Sequence, residues 1–568
     1  MLYREIVEIY EKLESVSSKL TKTSILAELF SKTPPELLPK IVLLSSGKVF
    51  PPYEEYELGI ATQMMLRAIA RATGYRVNEV EEIFKKTGDL GLTAEECRKK
   101  KKQVTLFVKK LTIDQVFDRL RRLAFETGPG SQERKLNIIA ELLASAEPKE
   151  ARYIVRTILE ELRIGVAEGI IRDAIVEAFL YKKGMSKEEK EEMKEAVEYA
   201  WNILSDFGEV ARIAKEKGLE GLKKVKPVLG KPIQVMLGLK AESIEEVVKA
   251  YPNIAAEWKY DGMRAQCHKK GDKIWIFTRR LENVTKQFPD LVELCRECLK
   301  PKECIVEGEA LAINPKTGTP LPFQVLSQRI HRKYDIDRMV KEIPIQMNLF
   351  DVVYVDDQIL FNKPFYERRK ILEKIVKVKE GKFQLTKQII TNDLKKLEEF
   401  YHQALNAKQE GLFLKVLNSP YIFGRHVGGW YKIKPIMETL DLVIVGAEWG
   451  TGSRAKWLSS FVLACRDPDT GEFLPCGMMG TGLTEEEFER MTERLKPLII
   501  SEKGRKVEIK PKIVVEVGYQ EIQKSPNYES GFALRFPRLI RVREDKGPEE
   551  ADTIERVKEL YESQGRAG

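Results

Sequence analysis

The segment EWKYDGMR, which begins at Glu257, contains a lysine between two carboxylates. Side chains alternate between the two faces of a β-strand, so Glu257, Lys259 and Asp261 are predicted to share one face. Gly262 is predicted to turn the chain so that Arg264 returns to the same place. A lysine amine attacks phosphorus only when it is deprotonated, and an ordinary lysine has a pKa of about 10.4, so nearby cations or a metal must favour the neutral form. The sequence therefore predicts Lys259 as a nucleophile, although this segment alone also fits an exposed Lys–Asp pair on an ordinary strand.

Charged and aromatic residues follow this segment at intervals. Arg279 stands in FTRRLENVT, which by itself would be a surface hairpin. The segment VEGE places Glu307 and Glu309 on one strand face, where two like charges repel unless a cation lies between them. Phe350 lies in an apolar segment, and such a phenylalanine usually belongs to a core. Each of these residues has an ordinary structural explanation by itself, and only their order after Lys259 in the sequence suggests a shared site.

Two further segments supply positive charge. EGLFLK begins at Glu410 and ends at Lys415. In WYKIK, Lys432 and Lys434 are predicted to lie on one strand face, where two cations are aimed at a polyphosphate. Arg425 precedes this segment in FGRHVGGW. These segments predict a phosphate-binding surface.

The spacing K-x-D-G-x-R resembles the first motif of the covalent nucleotidyltransferases, which comprise ATP-dependent DNA ligases, RNA ligases and mRNA capping enzymes. The later segments follow in the order of that family. The resemblance implies that Lys259 carries AMP, that Glu257 accepts the adenine amino group and that Phe350 stacks on the purine. The other nucleotide contacts that it implies are Arg264, Arg279, Glu309, Arg425, Lys432 and Lys434, with Lys415 on the phosphate side and with Glu309 and Glu410 as ligands of Mg²⁺ or Mn²⁺.

ATP is the expected nucleotide. A carboxylate at Glu257 suits the amino group of adenine, whereas the oxygen at the same position of guanine would face it unfavourably. NAD⁺ is less favoured because the four-cysteine zinc module of bacterial NAD-dependent ligases is not visible in the sequence, although use of both nucleotides is left open. Glu257 and the long helical region speak against an RNA ligase or a capping enzyme. The intact charged residues of the motifs speak against a non-catalytic scaffold.

Both ends of the chain extend the resemblance. Residues 533–546, ALRFPRLIRVREDK, resemble the final motif of the family, which contacts the leaving pyrophosphate. The N-terminal region, with its segment RIGV from Arg163, resembles the DNA-binding domain of archaeal and eukaryotic replicative ligases. The resemblance is strongest to archaeal ligases, and it implies sealing of nicks in duplex DNA during replication, repair and recombination.

Three regions must position these residues. Apolar periodicity predicts helices up to about residue 221, and residues 217–232 have the composition of a linker. Strands then alternate with helices, and short strands with Gly and Pro turns follow before a last helix over residues 548–563. The predicted architecture is an all-α DNA-binding domain (1–225), an α+β nucleotidyltransferase or adenylation domain (226–436) and a C-terminal β-barrel OB-fold domain (437–568).

The composition fits a soluble multidomain protein. The 568 residues exceed one core at roughly 100 to 200 residues per domain, and no apolar run approaches the roughly 20 residues of a membrane span. The N-terminus lacks the pattern of a signal peptide, so a cytoplasmic location without a membrane is expected. A net charge of +9 is compatible with nucleic acid. A monomer is expected, and the expected partners are nicked duplex DNA and, as a further candidate, a sliding clamp.

The seven cysteines do not predict a disulfide framework. Cys295, Cys298 and Cys304 form a C-x2-C-x5-C cluster without a fourth ligand. Burial in a helix pair, or a local disulfide in a thermophile, is therefore favoured over a zinc site. The abundance of Glu, Lys and Arg is compatible with a thermophilic source.

Overall fold

The chain folds into three regions that follow one another along the sequence. The computed structural model describes residues 1–54, 56–100, 110–241, 243–330, 332, 334–424, 428–435, 439–480 and 483–566. Helices fill the first region, strands and helices alternate in the second, and strands dominate the third, as predicted. Of the helices in these ranges, none has both the length and the apolar character needed to cross a membrane.

The first region consists of helices that pack around a shared apolar core. In chain order they are α1 (Tyr3–Ser15), α2 (Lys19–Lys32), α3 (Leu38–Ser45), α4 (Thr62–Thr73), α5 (Val77–Thr87), α6 (Leu90–Lys99), α7 (Ile113–Phe125), α8 (Ser131–Ser145), α9 (Pro148–Ile158), α10 (Glu168–Phe179), α11 (Lys187–Leu204) and α12 (Phe207–Lys223). Several starts are encoded locally. Ser186 accepts a hydrogen bond from the backbone of Glu189, whose side chain accepts one from the backbone of Ser186, and this reciprocal cap begins α11.

The segment after α12 is anchored to the helices. Gly218 has φ 60° and ψ −156°, so α12 is kinked there and continues to Lys223, inside the segment predicted as a linker. Ser205 Oγ then donates to the carbonyl of Pro232 at 2.7 Å. The linker prediction for residues 217–232 was therefore wrong at its start, because one glycine kinks the helix without ending it.

The second region contains two sheets, each covered by helices. Its elements are β1 (Leu239–Lys240), α13 (Ile244–Ala250), β2 (Ile254–Lys259), β3 (Met263–Lys270), β4 (Lys273–Thr278), α14 (Pro289–Cys298), β5 (Glu303–Ile313), β6 (Pro320–Leu321), α15 (Phe323–Ile330), α16 (Ile336–Glu342), β7 (Ile345–Val355), β8 (Gln358–Ile359), α17 (Phe365–Ile375), β9 (Phe383–Leu385), β10 (Gln388–Ile390), α18 (Leu394–Asn406), β11 (Gly411–Val416) and β12 (Trp430–Ile433). One sheet has the order β1-β12-β11-β2-β10 and the other β4-β3-β5-β7-β8, with β6 beside β5 and β9 beside β7. The chain passes from one sheet to the other directly after β2, so the segment around Lys259 lies where the sheets meet.

The third region is built around one long strand. Its elements are β13 (Thr439–Trp449), β14 (Leu458–Arg466), β15 (Phe473–Met479), α19 (Glu485–Leu495), β16 (Ile499–Lys503), β17 (Lys506–Ile509), β18 (Val514–Gly518), β19 (Glu521–Lys524), β20 (Phe532–Arg535), β21 (Arg538–Val542) and α20 (Ile554–Arg566). β13 pairs with β14 along one edge, and its other edge is shared by β18 and β17. Bulges between β13 and β14 bend the sheet, which is the curvature that a small barrel requires.

The last helix begins later than its sequence pattern predicts. Helix α20 starts at Ile554, whereas residues 548–550 form a 3₁₀ turn. The backbone N–H of Asp552 donates to the carbonyl of Asp441 in β13 at 2.8 Å. This tertiary hydrogen bond ties Asp552 to β13, and Ala551 before it is extended, so the chain cannot continue from the turn into α20 and the predicted start at residue 548 was wrong.

The cysteines are buried and free. Cys295 and Cys298 lie in α14 and Cys304 in β5, and all three belong to the apolar core of the second region. Within the described ranges, no three His, Cys, Asp or Glu side chains are grouped as a metal site. The burial expected for the cluster is therefore confirmed for its helical members, and among the described residues Cys295, Cys298 and Cys304 are free thiols.

Candidate active site

A cavity of about 640 Å³ opens between the two sheets of the central region. Its walls come from β2, β11 and β12 of one sheet and from β3, β5 and β7 of the other. Every described residue that lines it lies between Leu237 and Lys434. Eight of the residues predicted as site residues line it: Glu257, Lys259, Arg264, Arg279, Glu309, Phe350, Lys432 and Lys434, together with the predicted metal ligand Glu410. Arg425 lies outside the described residues, so its predicted role stays a prediction.

Strand register explains how residues distant in sequence reach one wall. Cross-strand partners in an antiparallel pair point to the same face. Lys259 is opposite Gly411, and Glu257 is opposite Phe413, which is itself opposite Lys432. The predicted nucleophile and base-reading carboxylate of β2 therefore share a face with the phosphate-binding lysine of β12.

Lys259 ends β2 and forms an ion pair with Glu410. The same oxygen of Glu410 lies 2.7 Å from Lys434 Nζ. Burial raises the pKa of Glu410, but the two lysines outweigh it, so its pKa lies below the usual range. The backbone N–H of Glu410 also donates to the carbonyl of Lys259 at 2.9 Å. These contacts hold the amine, an anion and a second cation at one end of the cavity.

Asp261 reaches the cavity differently from the prediction. β2 ends at Lys259, so Asp261 lies in the turn that follows and not on the strand face. Its carboxylate accepts a hydrogen bond from the backbone of Phe323 at 3.4 Å, and burial, followed by the charge of Glu410, raises its pKa. Gly262 provides space in this turn, because a Cβ there would lie 2.3 Å from the carbonyl oxygen of Ala310.

Arg264 is held by a carboxylate and a tyrosine. Its Nε donates to Glu307 Oε2 at 2.7 Å, its Nη1 donates to the carbonyl of Met236, and Tyr421 OH donates to the other oxygen of Glu307. Arg264 is thus the cation expected beside the carboxylate pair of β5. The sequence pattern indicates Glu307 but not this role, and no local pattern distinguishes Tyr421.

Glu309 lies opposite Arg264 on the neighbouring strand. Burial raises the pKa of Glu309 to about 7, and the negative charges of Glu410 and Asp261 add to this effect against Lys259 and Arg264. Three carboxylates therefore act on one another in the cavity. Mg²⁺ prefers oxygen ligands, and proteins commonly bind it with one or two carboxylates together with the phosphates of the substrate. Glu309 and Glu410 fit such an ion.

An aromatic wall closes the other end of the cavity. The rings of Phe350 and Trp430 meet edge to face with centroids 5.7 Å apart. Lys415 Nζ lies 4.1 Å from the ring centre of Trp430 and 4.6 Å from that of Phe350, and it pairs with Glu257. On β11, Lys415 lies beyond Glu257 and away from Lys259, and its predicted role on the phosphate side stays a prediction.

Positive side chains surround the rest of the opening. Arg279 is exposed directly after β4. Burial, followed by the charges of Lys434, Lys259 and Arg279, lowers the pKa of Lys432. Such crowding of cations indicates a surface built for a polyanion.

The comparisons with known proteins agree with this arrangement. Family models described as the DNA ligase N terminus, the ATP dependent DNA ligase domain and the ATP dependent DNA ligase C terminal region match residues 2–176, 235–434 and 454–546. A DNA ligase of Nanoarchaeum equitans is 49% identical over 572 residues and covers 99% of each chain. A DNA ligase of Thermococcus onnurineus is 48% identical over 567 residues, which are 100% of this chain and 99% of that protein. The solved structure Pmar-Lig_PreS3 has the same fold, with a TM-score of 0.53 at 17% identity over 94% of this chain and 99% of its own.

The central domain has two sheets and a cavity that contains a lysine, which is the arrangement of a nucleotidyltransferase. A helical region precedes this domain, and a strand-rich domain follows it. The chain belongs to the ATP-dependent DNA ligase family. It is an enzyme that uses ATP to join DNA, and the predicted family, fold class and function are confirmed.

Proposed function

We propose that Lys259 is the nucleophile of this ligase. Its amine attacks the α-phosphorus of ATP, a phosphoramidate to AMP forms and pyrophosphate leaves. The 5′-phosphate of a nick then attacks the lysyl-AMP, which frees Lys259 and leaves AMP on the DNA end. Finally, the 3′-hydroxyl attacks that 5′-phosphate, the phosphodiester forms and AMP leaves. The observation that carries the proposal is the position of Lys259 in the cavity wall beside Glu410 and Lys434.

The two ends of the cavity divide the recognition of ATP. Glu257 and Phe350 take the adenine, since a carboxylate accepts from its amino group and an aromatic ring stacks on it. Arg264, oriented by Glu307, and Glu309 lie between the base and the phosphates and take the ribose. Arg279, Lys432 and Lys434 neutralise the polyphosphate, with Arg425 as a further phosphate contact.

Mg²⁺ or Mn²⁺ would be held by Glu309 and Glu410. When bound, the ion supplies charge neutralisation and alignment of the phosphate oxygens during in-line displacement. Burial raises the pKa of Glu309 because its charge is poorly solvated, and a bound cation would stabilise its ionised form. Glu410 pairs with both Lys259 and Lys434, so its carboxylate stays next to the amine that would attack ATP.

The substrate is nicked duplex DNA, which the helical domain grips through its phosphates. We expect the protein to act as a monomer in the cytoplasm, and a sliding clamp is a candidate partner. The domain limits at residues 225 and 436 remain proposals, and residue 436 lies outside the described residues.

Label transfer tests the assignment of Lys259. The full-length protein is incubated with Mg²⁺ and α-labelled ATP, and label on the denatured chain is measured for wild type, Lys259→Ala and the exposed control Lys270→Ala. We expect acid-labile label on wild type and on the control, and none on Lys259→Ala. Label on Lys259→Ala equal to that on wild type would exclude this residue as the nucleophile.

A second assay identifies the nucleic acid. The labelled wild-type enzyme is mixed with a nicked DNA duplex or with a nicked RNA duplex of the same sequence. Loss of label from the protein and formation of sealed product are expected with DNA. Equal sealing of the RNA duplex would contradict the proposed substrate.

A further inference from the structure

Residues 230–238, the connecting segment, lead from the helical region to β1 and to the cavity. Leu237 and Gly238 at the end of the connecting segment line the cavity. β1 follows directly and pairs with β12, so that Lys240 lies opposite Lys432. The connecting segment therefore forms one edge of the proposed nucleotide site, and its position affects both the cavity wall and the strand that carries Lys432.

One face of β3 binds the backbone of the connecting segment. Arg264, Gln266 and His268 alternate along β3, so they share this face. Gln266 Oε1 accepts from the backbone N–H of Ile233 at 2.9 Å, and Gln266 Nε2 donates to the carbonyl of Ile233 at 3.1 Å. Arg264 donates to the carbonyl of Met236. A residue of the cavity wall and its two neighbours on the strand face thus bind the connecting segment.

His268 binds the start of the connecting segment from a fully buried position. Burial lowers the pKa of His268 to about 3, so the ring is neutral near pH 7. The backbone N–H of Gly230 donates to His268 Nδ1 at 3.2 Å. Nδ1 therefore carries no proton, and the protonated Nε2 donates to Gln266 Oε1 at 2.8 Å. Gln266 and His268 thus orient each other while they bind the connecting segment at two points.

The helical region also holds the connecting segment. The backbone N–H of Gln234 donates to the carbonyl of Asn202 at 2.7 Å, and Gln234 Nε2 donates to Ser205 Oγ at 3.1 Å. Ser205 Oγ in turn donates to the carbonyl of Pro232. These contacts alternate along the chain with those made by β3, so the connecting segment is bound by both regions.

We propose that Gln266 and His268 are positioning residues that hold the connecting segment on β3 and thereby keep the edge of the cavity ordered for ATP. The proposal rests on the proposed function, because it takes the cavity beside Lys259 as the place where ATP reacts. Of the described residues that line the cavity, none is Gln266 or His268, so the two act through the connecting segment. An ordered wall loses less conformational freedom than a loose one when ATP binds.

The reacting groups have supports of their own. Lys259 and Glu410 lie on β2 and beside β11, where they pair with each other, and a backbone hydrogen bond of 2.9 Å joins the same two residues. Loosening of the connecting segment should therefore weaken the binding of ATP and leave the chemical step nearly unchanged. A role in general stability alone would change neither quantity in the folded protein.

The first test is Gln266→Met, which keeps the length of the side chain and removes its amide. Label transfer from α-labelled ATP to the full-length protein with Mg²⁺ is followed in single turnover at several ATP concentrations, which separates the half-saturating concentration from the maximal rate. We expect a half-saturating concentration about tenfold above that of the wild type and a maximal rate within about twofold of it. An unchanged half-saturating concentration would show that the helical contacts suffice, and it would overturn the inference.

Lys269→Met is the matched control, because Lys269 is the buried neighbour on the other face of β3. Its Nζ donates to the carbonyl of Leu299, outside the connecting segment. The control also removes a buried hydrogen bond from β3, so it should lower the free energy of unfolding in denaturant titrations without changing the half-saturating concentration. An equal rise in this concentration in both variants would assign the effect to loosening of β3 and would overturn the role of Gln266.

Two substitutions of His268 test the inference even if Gln266→Met does not fold. The side-chain oxygen of asparagine takes about the place of Nδ1 and can accept from Gly230, whereas the amide nitrogen of glutamine takes about the place of Nε2 and can donate to Gln266. His268→Asn should therefore stay near the wild type, and His268→Gln should raise the half-saturating concentration by about threefold or more. Equal values in the two variants, or the reverse order, would overturn the inference.

Hydrogen exchange distinguishes failure of this inference from failure of the proposed function. Exchange of the amides of the connecting segment is measured by mass spectrometry on the full-length protein without nucleotide, so it does not depend on adenylation. We expect exchange that is faster by about tenfold or more in Gln266→Met than in the wild type and in Lys269→Met. Unchanged exchange would refute this inference alone, whereas absence of label on Lys259 of the wild type would refute the proposed function.

Discussion

At the scale of single residues, the cavity places carboxylates and lysines so close together that each determines the charge of its neighbours. Glu410 lies between Lys259 and Lys434 and its pKa is lowered. Among the residues that the structure describes, none forms an ion pair with Glu309 or Asp261, and burial raises the pKa of both. The anionic side of the site therefore contains one carboxylate whose pKa two lysines lower and two carboxylates whose pKa burial raises.

The raised pKa of Glu309 predicts that the free energy of unfolding depends on pH. Its folded-state pKa of about 7 lies above the unfolded value, so its contribution to stability is complete below the unfolded pKa and is lost as pH rises through about 7. In buffer without divalent metal, we expect the free energy of unfolding to fall by about 1 kcal/mol more in the wild type than in Glu309→Gln between about pH 6 and pH 8. Denaturant titrations at the two pH values measure this difference. The exposed control Glu293→Gln should behave as the wild type, and an identical pH dependence in Glu309→Gln would contradict the prediction.

At the scale of elements, the turn from β2 into β3 connects the two sheets and places the nucleophile between them. Lys259 ends β2 and Arg264 lies in β3, opposite Glu309 of β5. Glycine is needed at position 262 because a side chain would not fit there, and not because of its backbone angles, since its φ is not in the left-handed region. The sequence prediction of a glycine that turns the chain was therefore right about its place, and the structure assigns a different physical reason.

Gly262→Ala tests this turn. The added Cβ would lie 2.3 Å from the carbonyl of Ala310, so β3 and β5 must separate or the turn must move. We expect a loss of about 1–3 kcal/mol in unfolding free energy and a decrease of about a hundredfold in the rate of self-adenylation. Gly169→Ala in α10, where the Cβ meets open space, is the matched control. Wild-type adenylation by Gly262→Ala would show that close packing at this turn is not needed.

At the scale of the whole molecule, the cavity is lined by the central domain, while the final motif lies in the strand-rich domain. Lys546 of that motif lies 2.7 Å from Asp441, which Arg543 also binds at 3.0 Å. If Lys546 contacts pyrophosphate during the first step, as the family resemblance implies, it must leave Asp441 and approach the central domain. The first step should then depend on domain movement and on Lys546.

Lys546→Ala should separate the first chemical step from the last. We expect the rate of label transfer from ATP to fall by about tenfold or more, because a cation is removed from the developing pyrophosphate charge. Sealing of a nick that already carries AMP on its 5′-phosphate should change little. Lys503→Ala, an exposed lysine of β16, is the control for charge. Equal losses in both assays would show that Lys546 acts on folding or DNA binding instead.

DNA binding by the whole protein should depend strongly on salt. A ligase that grips duplex DNA through phosphates releases bound cations, so we expect Kd for a nicked duplex to rise by about a thousandfold between about 50 and 200 mM salt. Fluorescence anisotropy with two unrelated sequences measures both this slope and the expected indifference to sequence. A Kd that is insensitive to salt would contradict a phosphate-based grip.

The sequence by itself determined the order of the three regions and indicated most of the charged residues that line the cavity. Apolar periodicity and strand alternation are local properties, and the motif segments follow one another along the chain. The tertiary structure decided which of these side chains meet. Lys259 pairs with Glu410 across 151 residues and Tyr421 with Glu307 across 114. Such pairs depend on strand register and on tertiary packing, which no local pattern encodes, and for this reason Tyr421 became visible only in the folded chain.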